Sequence, residues 1–424
     1  MPNIAIIGAG SVVFTRRVVG DLLSFPALEG SHLSLMDVDE QRLALIGRLV
    51  EKMVRDSGVA ATVDTTLDRR RALDGADYVI TTIRVGDRDD VDRGIPQRFG
   101  VDQAVGDTIG PGGVIKGLRT VPVLLEVCRD MEELCPQAWL LNYTNPMAIA
   151  CWAIGDATST RTVGLCHSVQ NTAQRLAEYI GAPPEDISHW TAGINHMAWF
   201  LRFERDGHDA YPELRASMDD QRNYARDSVR FEVMRQFGYF VSESSRHMSE
   251  YTPYFRGART RMEDFNLAPF DVDAGEREQR GKAHYAAIQR ELESDAPLRL
   301  VRTNEYAAYI IDSMETGTTR VVNVNVRNDG LITNLPEGCC VEVPCVVDRL
   351  GVHPCHVGEL PAQCAALIQT NVNVQRLAVK AILEADREAA IHAVMLDPLT
   401  SSILSLADIR AMVEEMFAAQ PDYF

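Results

Sequence analysis

No run of apolar residues in this 424-residue chain approaches the roughly 20 that a membrane helix requires, so a membrane-spanning protein is not expected. The first residues, Met1-Pro2-Asn3, lead straight into a strand and supply neither the charged nor the apolar region of a secretory leader. Positive charge is scarce. Forty-two Lys and Arg stand against 60 Asp and Glu, a formal net charge of −18, which argues against nucleic acid and anionic membranes as main partners. The nine cysteines are odd in number and spaced as neither a disulfide framework nor a zinc cluster. Together with the missing leader, this places the chain in a reducing cytoplasm. Internal repeats, low-complexity tracts and clear linkers are also lacking. What is present is length and apolar content: 46% of residues are hydrophobic, enough for two domains or one large domain with insertions.

The chain opens with a short apolar strand, Asn3-Ile4-Ala5-Ile6-Ile7, then Gly8-Ala9-Gly10-Ser11, then a helical segment through Leu23. Strand, glycine turn and helix are the context of a dinucleotide fingerprint, in which the backbone approaches a pyrophosphate at the helix N-terminus. Val13 stands where the third glycine of that pattern belongs. A second strand, His32 to Met36, ends at Asp37, placed to hydrogen-bond an adenosine ribose. Asp37 and Asp39 would repel a 2′-phosphate, so NAD is favoured over NADP; capping of the helix from Glu40 competes as a role for Asp39. Further buried strands are predicted at Ala76–Thr82, Trp139–Tyr143 and Thr162–Leu165, with a helix over Val121 to Leu134. Alternating β and α units predict a Rossmann-like, doubly wound parallel sheet whose strand ends carry the ligand crevice. Asn142, Asn145, Cys166 and His167 all fall just past strand ends and are expected to face it. Val105 to Gly113 is too glycine-rich for a helix interior and reads as a ligand-approaching loop with Asp107 as its one ionisable group; a flexible linker is the plainer reading.

Val163 to Asn171 reads as a strand end running into a helix capped by Ser168 and closed by Gly181. Cys166 would then lie at a helix N-terminus, where peptide dipoles favour a thiolate. His196, within Gly193-Ile194-Asn195-His196, could bring an imidazole to the same place and form an open metal site. A buried cysteine and a hydrogen-bonded core histidine compete with that reading. Beyond Trp199 the pattern changes. Tyr211 to Phe237 is helical and charged, Ser242 to Phe255 concentrates polar and aromatic residues, and a helix is predicted over Ala274 to Leu292. Val321 to Val347 reads as β with turns at Asn328–Gly330 and Leu335–Gly338, and Cys339 and Cys340 are expected on opposite faces of one strand. From Pro361 the chain is helical almost to its end. The predicted division is a nucleotide-binding part over 1–195 and an α+β substrate-binding and oligomerisation part over 196–424.

Taken together these motifs resemble glycoside hydrolase family 4. The resemblance covers nearly the whole chain: Gly8-Ala9-Gly10-Ser11, Asp107-Thr108 with Gly110-Pro111-Gly112-Gly113, Asn142-Tyr143-Thr144-Asn145-Pro146-Met147, Gly164 to Gln170, Gly193 to Ala198, Glu250-Tyr251-Thr252-Pro253, Val326 to Leu331 and Met395-Leu396-Asp397-Pro398. Most glycosidases use two carboxylates, and this family is an exception. The resemblance implies a lactate/malate dehydrogenase-like overall fold, bound NAD and Mn2+ or another divalent metal, and oxidation of the sugar at C3. Proton removal at C2, elimination of the aglycone and water addition follow. It implies Cys166 and His196 as metal ligands and Tyr251 as the base. Some relatives carry an aspartate where this chain has His167, so the alternatives for the leaving-group acid are His167, Asp107 or no strong acid at all. Gly8, Gly10, Ser11, Asp37 and Asn145 would hold the cofactor, and Asn142, Asn145 and Asn195 sugar hydroxyls.

Cys166-His167-Ser168 is similar to the motif of members acting on unphosphorylated sugars, melibiase-type α-galactosidases above all. An α-glucosidase or α-glucuronidase of the same family remains an alternative. Outside the family the alternatives are a lactate/malate-type dehydrogenase, which would accumulate NADH, and a non-catalytic NAD-binding regulator, which would need neither Cys166 nor Tyr251. A homodimer or homotetramer is expected.

Overall fold

Short apolar runs without charge form most of the core of the first strands, β1 (Asn3–Ile7), β2 (His32–Met36), β4 (Tyr78–Thr81) and β5 (Trp139–Asn142), while β3 (Thr62–Thr66) carries Asp64 and β6 (Arg161–Gly164) opens on Arg161. In the computed structural model, which describes residues 1–257, 261–271 and 276–423, these six lie parallel in the order β3-β2-β1-β4-β5-β6. Ile4, Ile6, Leu33, Leu35, Val79, Ile80, Leu140 and Leu141 are buried, as both faces of a helix-covered parallel sheet require. The remaining strands are β7 (Ile187–Ile194), β8 (Met197–Arg205), β9 (His208–Asp209), β10 (Arg320–Arg327), β11 (Cys340–Asp348) and β12 (Gly351–Pro354). They extend the same sheet in antiparallel fashion, β6-β10-β11-β7-β8-β9, with β12 beside β11. Among the described residues, no helix is long and apolar enough to cross a membrane.

The junction between the parallel and antiparallel strands positions the site. Gly164, Asn325, Glu342 and Gly193 stand side by side in one row across β6, β10, β11 and β7. Glycine is required at both ends of that row. A Cβ on Gly164 would lie 2.5 Å from the Met147 sulfur, and one on Gly193 would lie 2.3 Å from the Met197 carbonyl. Cys166 follows the row by two residues and His196 by three, so segments far apart in the chain deliver their side chains to one place.

Several local readings change. The Gly110–Gly113 stretch is not loop but the first turn of a helix, Gly110–Leu134, with Pro111 in its opening turn. Its glycines admit the preceding loop: a Cβ on Gly112 would lie 2.4 Å from the Gly106 carbonyl, and one on Gly113 2.4 Å from Thr108. The helix after Cys166 spans Ser168–Ile180 with His167 at the cap position and no side-chain cap, while Gly181 closes it in the left-handed conformation. Ser168 therefore sits inside the first turn. Cys339 precedes β11, which begins at Cys340, so the two thiols are not on opposite faces of one strand. The unpredicted β3 is a threonine-rich edge strand without an apolar run, and β7 and β8 form an unpredicted hairpin. The late helix covers Glu276–Glu293, and Ala274 lies outside the described residues.

Candidate active site

His196 occupies the two-residue turn of the β7–β8 hairpin with a backbone φ of +66°, and Glu243 has φ +74°. Left-handed backbone at two non-glycine residues is strained, and such strain concentrates at ligand-binding positions. Both side chains converge on Cys166. The Cys166 sulfur, a His196 ring nitrogen and a Glu243 carboxylate oxygen all lie within 4.8 Å of one another. His196 Nε2 is 3.3 Å from Glu243 Oε2, and its Nδ1 is 3.2 Å from the Tyr251 hydroxyl. His247 stands against the same group, its ring 4.7 Å from that of His196 and 5.4 Å from that of Tyr251. Its Nδ1 is 4.0 Å from Glu243 and its Nε2 4.0 Å from Asp107.

The electrostatics show what the cluster lacks. Burial and the Glu243 carboxylate push the Cys166 thiol up to about 11, the reverse of the thiolate that its helix N-terminus predicts. Burial outweighs the dipole here because Cys166 is only 8% exposed. Tyr251 is likewise raised well above the usual phenol value by burial and by Glu243, Asp107 and Glu250. The two carboxylates go the other way. Burial would raise Glu243, but His196 and His247 hold it down to about 2. Asp107 is held well below the carboxylate range against burial by Lys116, 3.6 Å away, and by His247. Beneath them Glu342, fully buried with no hydrogen-bond partner for either oxygen, is raised well above its ordinary value by burial and by Cys166.

A sulfur, an imidazole and a carboxylate in reach of one point suit a divalent cation. Both amide atoms of the buried Asn195 and Nε2 of His247 also lack hydrogen-bond partners. Buried polar groups are rarely left so unless a ligand or ion completes them. The donor set thus fits a metal. Cys166 and His196 meet as expected; Glu243 and His247 had no assigned role, although both fall in the polar span recognised after Ser242. The available signal was an acid four residues before a histidine in that span.

The nucleotide features also assemble. A groove of about 840 Å³ runs from Gly10, Ser11 and Val13 past Arg42 to Asp107, with Lys282 and Tyr285 facing it. Gly8 has φ +93°, and a Cβ there would lie 2.7 Å from the Thr82 carbonyl. Asp37 accepts hydrogen bonds from Gly10 N at 2.7 Å and Asp39 N at 2.9 Å, so it also pins the glycine turn. Asp39 is a helix cap, accepting from Gln41 and Arg42. Asn145 donates to Asp107 at 3.3 Å. Asn142 is turned inward. Its amide is spent on Thr81, Thr144 and Met147, so it shapes the strand end instead of reaching a sugar. His167 remains half-exposed, with Nδ1 3.7 Å from Glu305.

The chain resembles known proteins along its whole length. The chain is 41% identical over its full length to an α-galactosidase of Bacillus subtilis (strain 168), spanning 99% of that protein. It is 37% identical over 99% of its length to an α-galactosidase of Rhizobium meliloti (strain 1021), spanning 88% of that protein. A 6-phospho-α-glucosidase from gut microorganisms, crystallised with NAD and Mn2+, shares the fold with a TM-score of 0.85 at 21% identity, each chain covered to 99% or more. Malate dehydrogenase of Plasmodium falciparum with NADH matches less closely, at a TM-score of 0.55 and 15% identity over 91% of this chain and 99% of that one. Residues 3–182 match the family 4 glycosyl hydrolase domain and residues 191–400 its C-terminal domain, so the chain belongs to family 4 of the glycosyl hydrolases.

Proposed function

We propose that this chain hydrolyses terminal α-D-galactosides of the melibiose type, with NAD and a divalent cation such as Mn2+, by C3 oxidation, C2 deprotonation, elimination and water addition. The observation that carries the reading is the Cys166–His196–Glu243 cluster beside Tyr251, at the end of a nucleotide-sized groove. NAD bound there would accept the C3 hydride, and a cation would polarise the C2 and C3 oxygens so that the C2 proton becomes acidic.

Cys166, His196 and Glu243 would hold the cation. A thiolate is a soft partner for a hard ion such as Mn2+, so modest affinity and sensitivity to thiol oxidants are expected. Tyr251 takes the C2 proton. Its phenol is raised by burial and then by neighbouring carboxylates, and added positive charge at the cluster would bring it toward neutral pH. Asp107 is held ionised by Lys116 and His247 and is a poor proton donor. His167, half-exposed next to Cys166, is the better leaving-group acid. Asn195, whose buried amide lacks partners, bonds sugar hydroxyls, and Asn145 bonds the sugar or the cofactor.

Residues 1–195 serve as the nucleotide-binding part and 196–424 as the substrate-binding and oligomerisation part of a cytoplasmic homodimer or homotetramer. The free state of all nine cysteines is in keeping with a reducing compartment. Light scattering on the purified protein tests the assembly. Nitrophenyl glycosides assayed with NAD, manganese and a thiol reductant test the activity. The α-galactoside should be cleaved and 6-phospho-glycosides ignored. Preference for the α-glucoside, the α-glucuronide or a phosphorylated sugar would overturn the assignment of galactose.

A further inference from the structure

A second cleft, of about 330 Å³, opens beside the metal-type cluster. It shares Arg246 with the nucleotide groove, but where that groove ends at Asp107 this one ends at Glu243 and His167. Its walls are the first turns of the helix Ser168–Ile180, the helix Gln221–Phe237 and the Phe265–Asn266 turn. The wall is held by a buried network. Asp227 breaks the second helix with non-helical angles (φ −141°, ψ 38°). Its carboxylate receives Arg230 Nε at 2.8 Å and Nη2 at 2.6 Å, the Tyr179 hydroxyl at 2.5 Å and the Ser245 hydroxyl at 3.1 Å. Arg230 also donates to Thr172 at 2.7 Å. A buried ion pair with this many satisfied bonds fixes geometry more than it adds stability.

The lining has a definite chemistry. Arg230 is engaged by Asp227, and Arg175 and Arg226 are both drawn to Glu178, at 3.6 and 3.2 Å. Arg175 and Arg226 thus share one carboxylate, and Arg246 donates to the Ala104 carbonyl at 3.1 Å, so each of these guanidinium groups is already engaged within the protein. The Asn171 oxygen accepts from Asn304 at 2.9 Å, which leaves its amide NH2 as a donor, and Ser168 and Ser244 add hydroxyls. Phe265, packed edge-on against Phe255 at 4.9 Å, contributes one apolar face. Amides, hydroxyls and a single aromatic face suit a neutral sugar ring. The volume is at the small end of ligand sites, where pockets run from about 300 Å³ upward.

We propose that this cleft is the leaving-group subsite and that it takes one neutral pyranose, the aglycone of a disaccharide. The inference rests on the glycosidase reading above and adds which part of the substrate lies where. The oxidised carbon faces the nucleotide groove, and the departing sugar occupies the cleft beyond Glu243. His167, on the rim between them, stands next to the departing oxygen.

The test compares two substrates with the same type of leaving oxygen. Melibiose and methyl α-D-galactoside both release a primary alcohol, so they differ in the bulk and hydroxyls of the aglycone and little in leaving-group acidity. The full-length protein is assayed with NAD, manganese and reductant. Wild type should prefer melibiose. Asn171→Trp, which fills the cleft, should lower kcat/KM for melibiose about tenfold or more and leave methyl α-galactoside within about twofold. Phe265→Ala, which removes the apolar face, should lower the melibiose preference by a smaller factor and covers the case in which the tryptophan variant fails to fold. Parallel losses on both substrates, or an unchanged ratio in both variants, would overturn the subsite. If wild type cleaves no α-galactoside, the galactose assignment is wrong, and isomaltose with methyl α-glucoside, which also release primary alcohols, puts the same question to the same variants.

Discussion

The parallel strands and their antiparallel extension both bring polar groups to strand ends, but they treat them differently. At the ends of β2, β4 and β5 the polar groups satisfy one another. Asp37 takes two backbone amides, Thr81 donates to Asn142, and Asn142 and Thr144 close a turn that also receives Ile83 N. Around the β7–β8 turn they do not. Asn195, the His247 Nε2 and both oxygens of Glu342 are buried without hydrogen-bond partners, and His196 and Glu243 hold left-handed backbone. Each unpaired buried group costs about 1–3 kcal/mol, and each strained residue a similar amount. These parallel strand ends are thus a finished scaffold. The region around the β7–β8 turn is strained and undersatisfied in a form that a cation and a polyhydroxylated ligand would relieve.

That contrast can be broken or sharpened by substitution. The largest effect is expected at Tyr251→Phe, which removes the proposed base and keeps the ring between His196 and His247. Turnover should fall by about 10²–10⁴ with little change in NAD or manganese affinity. A variant that keeps wild-type kcat would make Tyr251 part of the scaffold. Next comes Cys166→Ser. Losing one ligand of an open site should weaken manganese binding by about 100-fold or more, followed by electron paramagnetic resonance, while the melting temperature stays near wild type. Full activity after chelator treatment and readdition of trace metal would make the cysteine structural.

Asp37→Ala probes the finished scaffold. It should raise the apparent KM for NAD and narrow the preference over NADP by about tenfold, roughly one charged hydrogen bond. The loss for NAD includes the loosening of the glycine turn that Asp37 pins. Equal use of both cofactors by wild type would remove the ribose role. The smallest effect lies away from both clefts. Asp397 caps Thr400 inside the core, and burial raises its carboxyl from 3.8 to about 6. The folded state then holds this proton more tightly than the unfolded state does. Stability from this group falls as pH rises from about 4 to about 6 and is level above, with an upper limit of about 3 kcal/mol. Asp397→Asn keeps an acceptor for Thr400 and removes the titration. It should therefore melt higher than wild type at pH 7 and not at pH 4, and an equal shift at both would contradict the assignment.

The parallel half was legible because its signals are local. An apolar run, a glycine turn and an acid at the next strand end predict β1, the helix from Val12 and Asp37 without knowledge of the rest. The site was legible only in pieces. Cys166 and His196 could be named, but their meeting depends on β10 and β11, which enter between β6 and β7 from more than 120 residues later in the chain. Glu243 joins through a left-handed turn and His247 through the short helix Ser245–Met248 that follows it, neither encoded by a spacing rule, and Glu342 joins through strand register. What opposes a thiolate at Cys166 without a cation was hidden for the same reason. A helix N-terminus can be read along the chain, whereas the burial and the Glu243 carboxylate that outweigh it arise only on folding. Gly110–Gly113 was misread because glycine content signals loop locally, and the tight contacts with Gly106 and Thr108 that call for those glycines are tertiary.

The central claim is that the buried Tyr251, beside His196 of the metal-type cluster, removes a proton from the sugar's C2. The most direct test is an NMR spectrum of the monosaccharide released when the enzyme turns over in heavy water with NAD, manganese and reductant. Deprotonation and reprotonation at C2 predict deuterium at that carbon, and deuterium labels at C2 or C3 of the substrate should slow turnover where those steps limit the rate. A product still fully protonated at C2, with no isotope effect at either carbon, would mean direct displacement at C1 and would contradict the account.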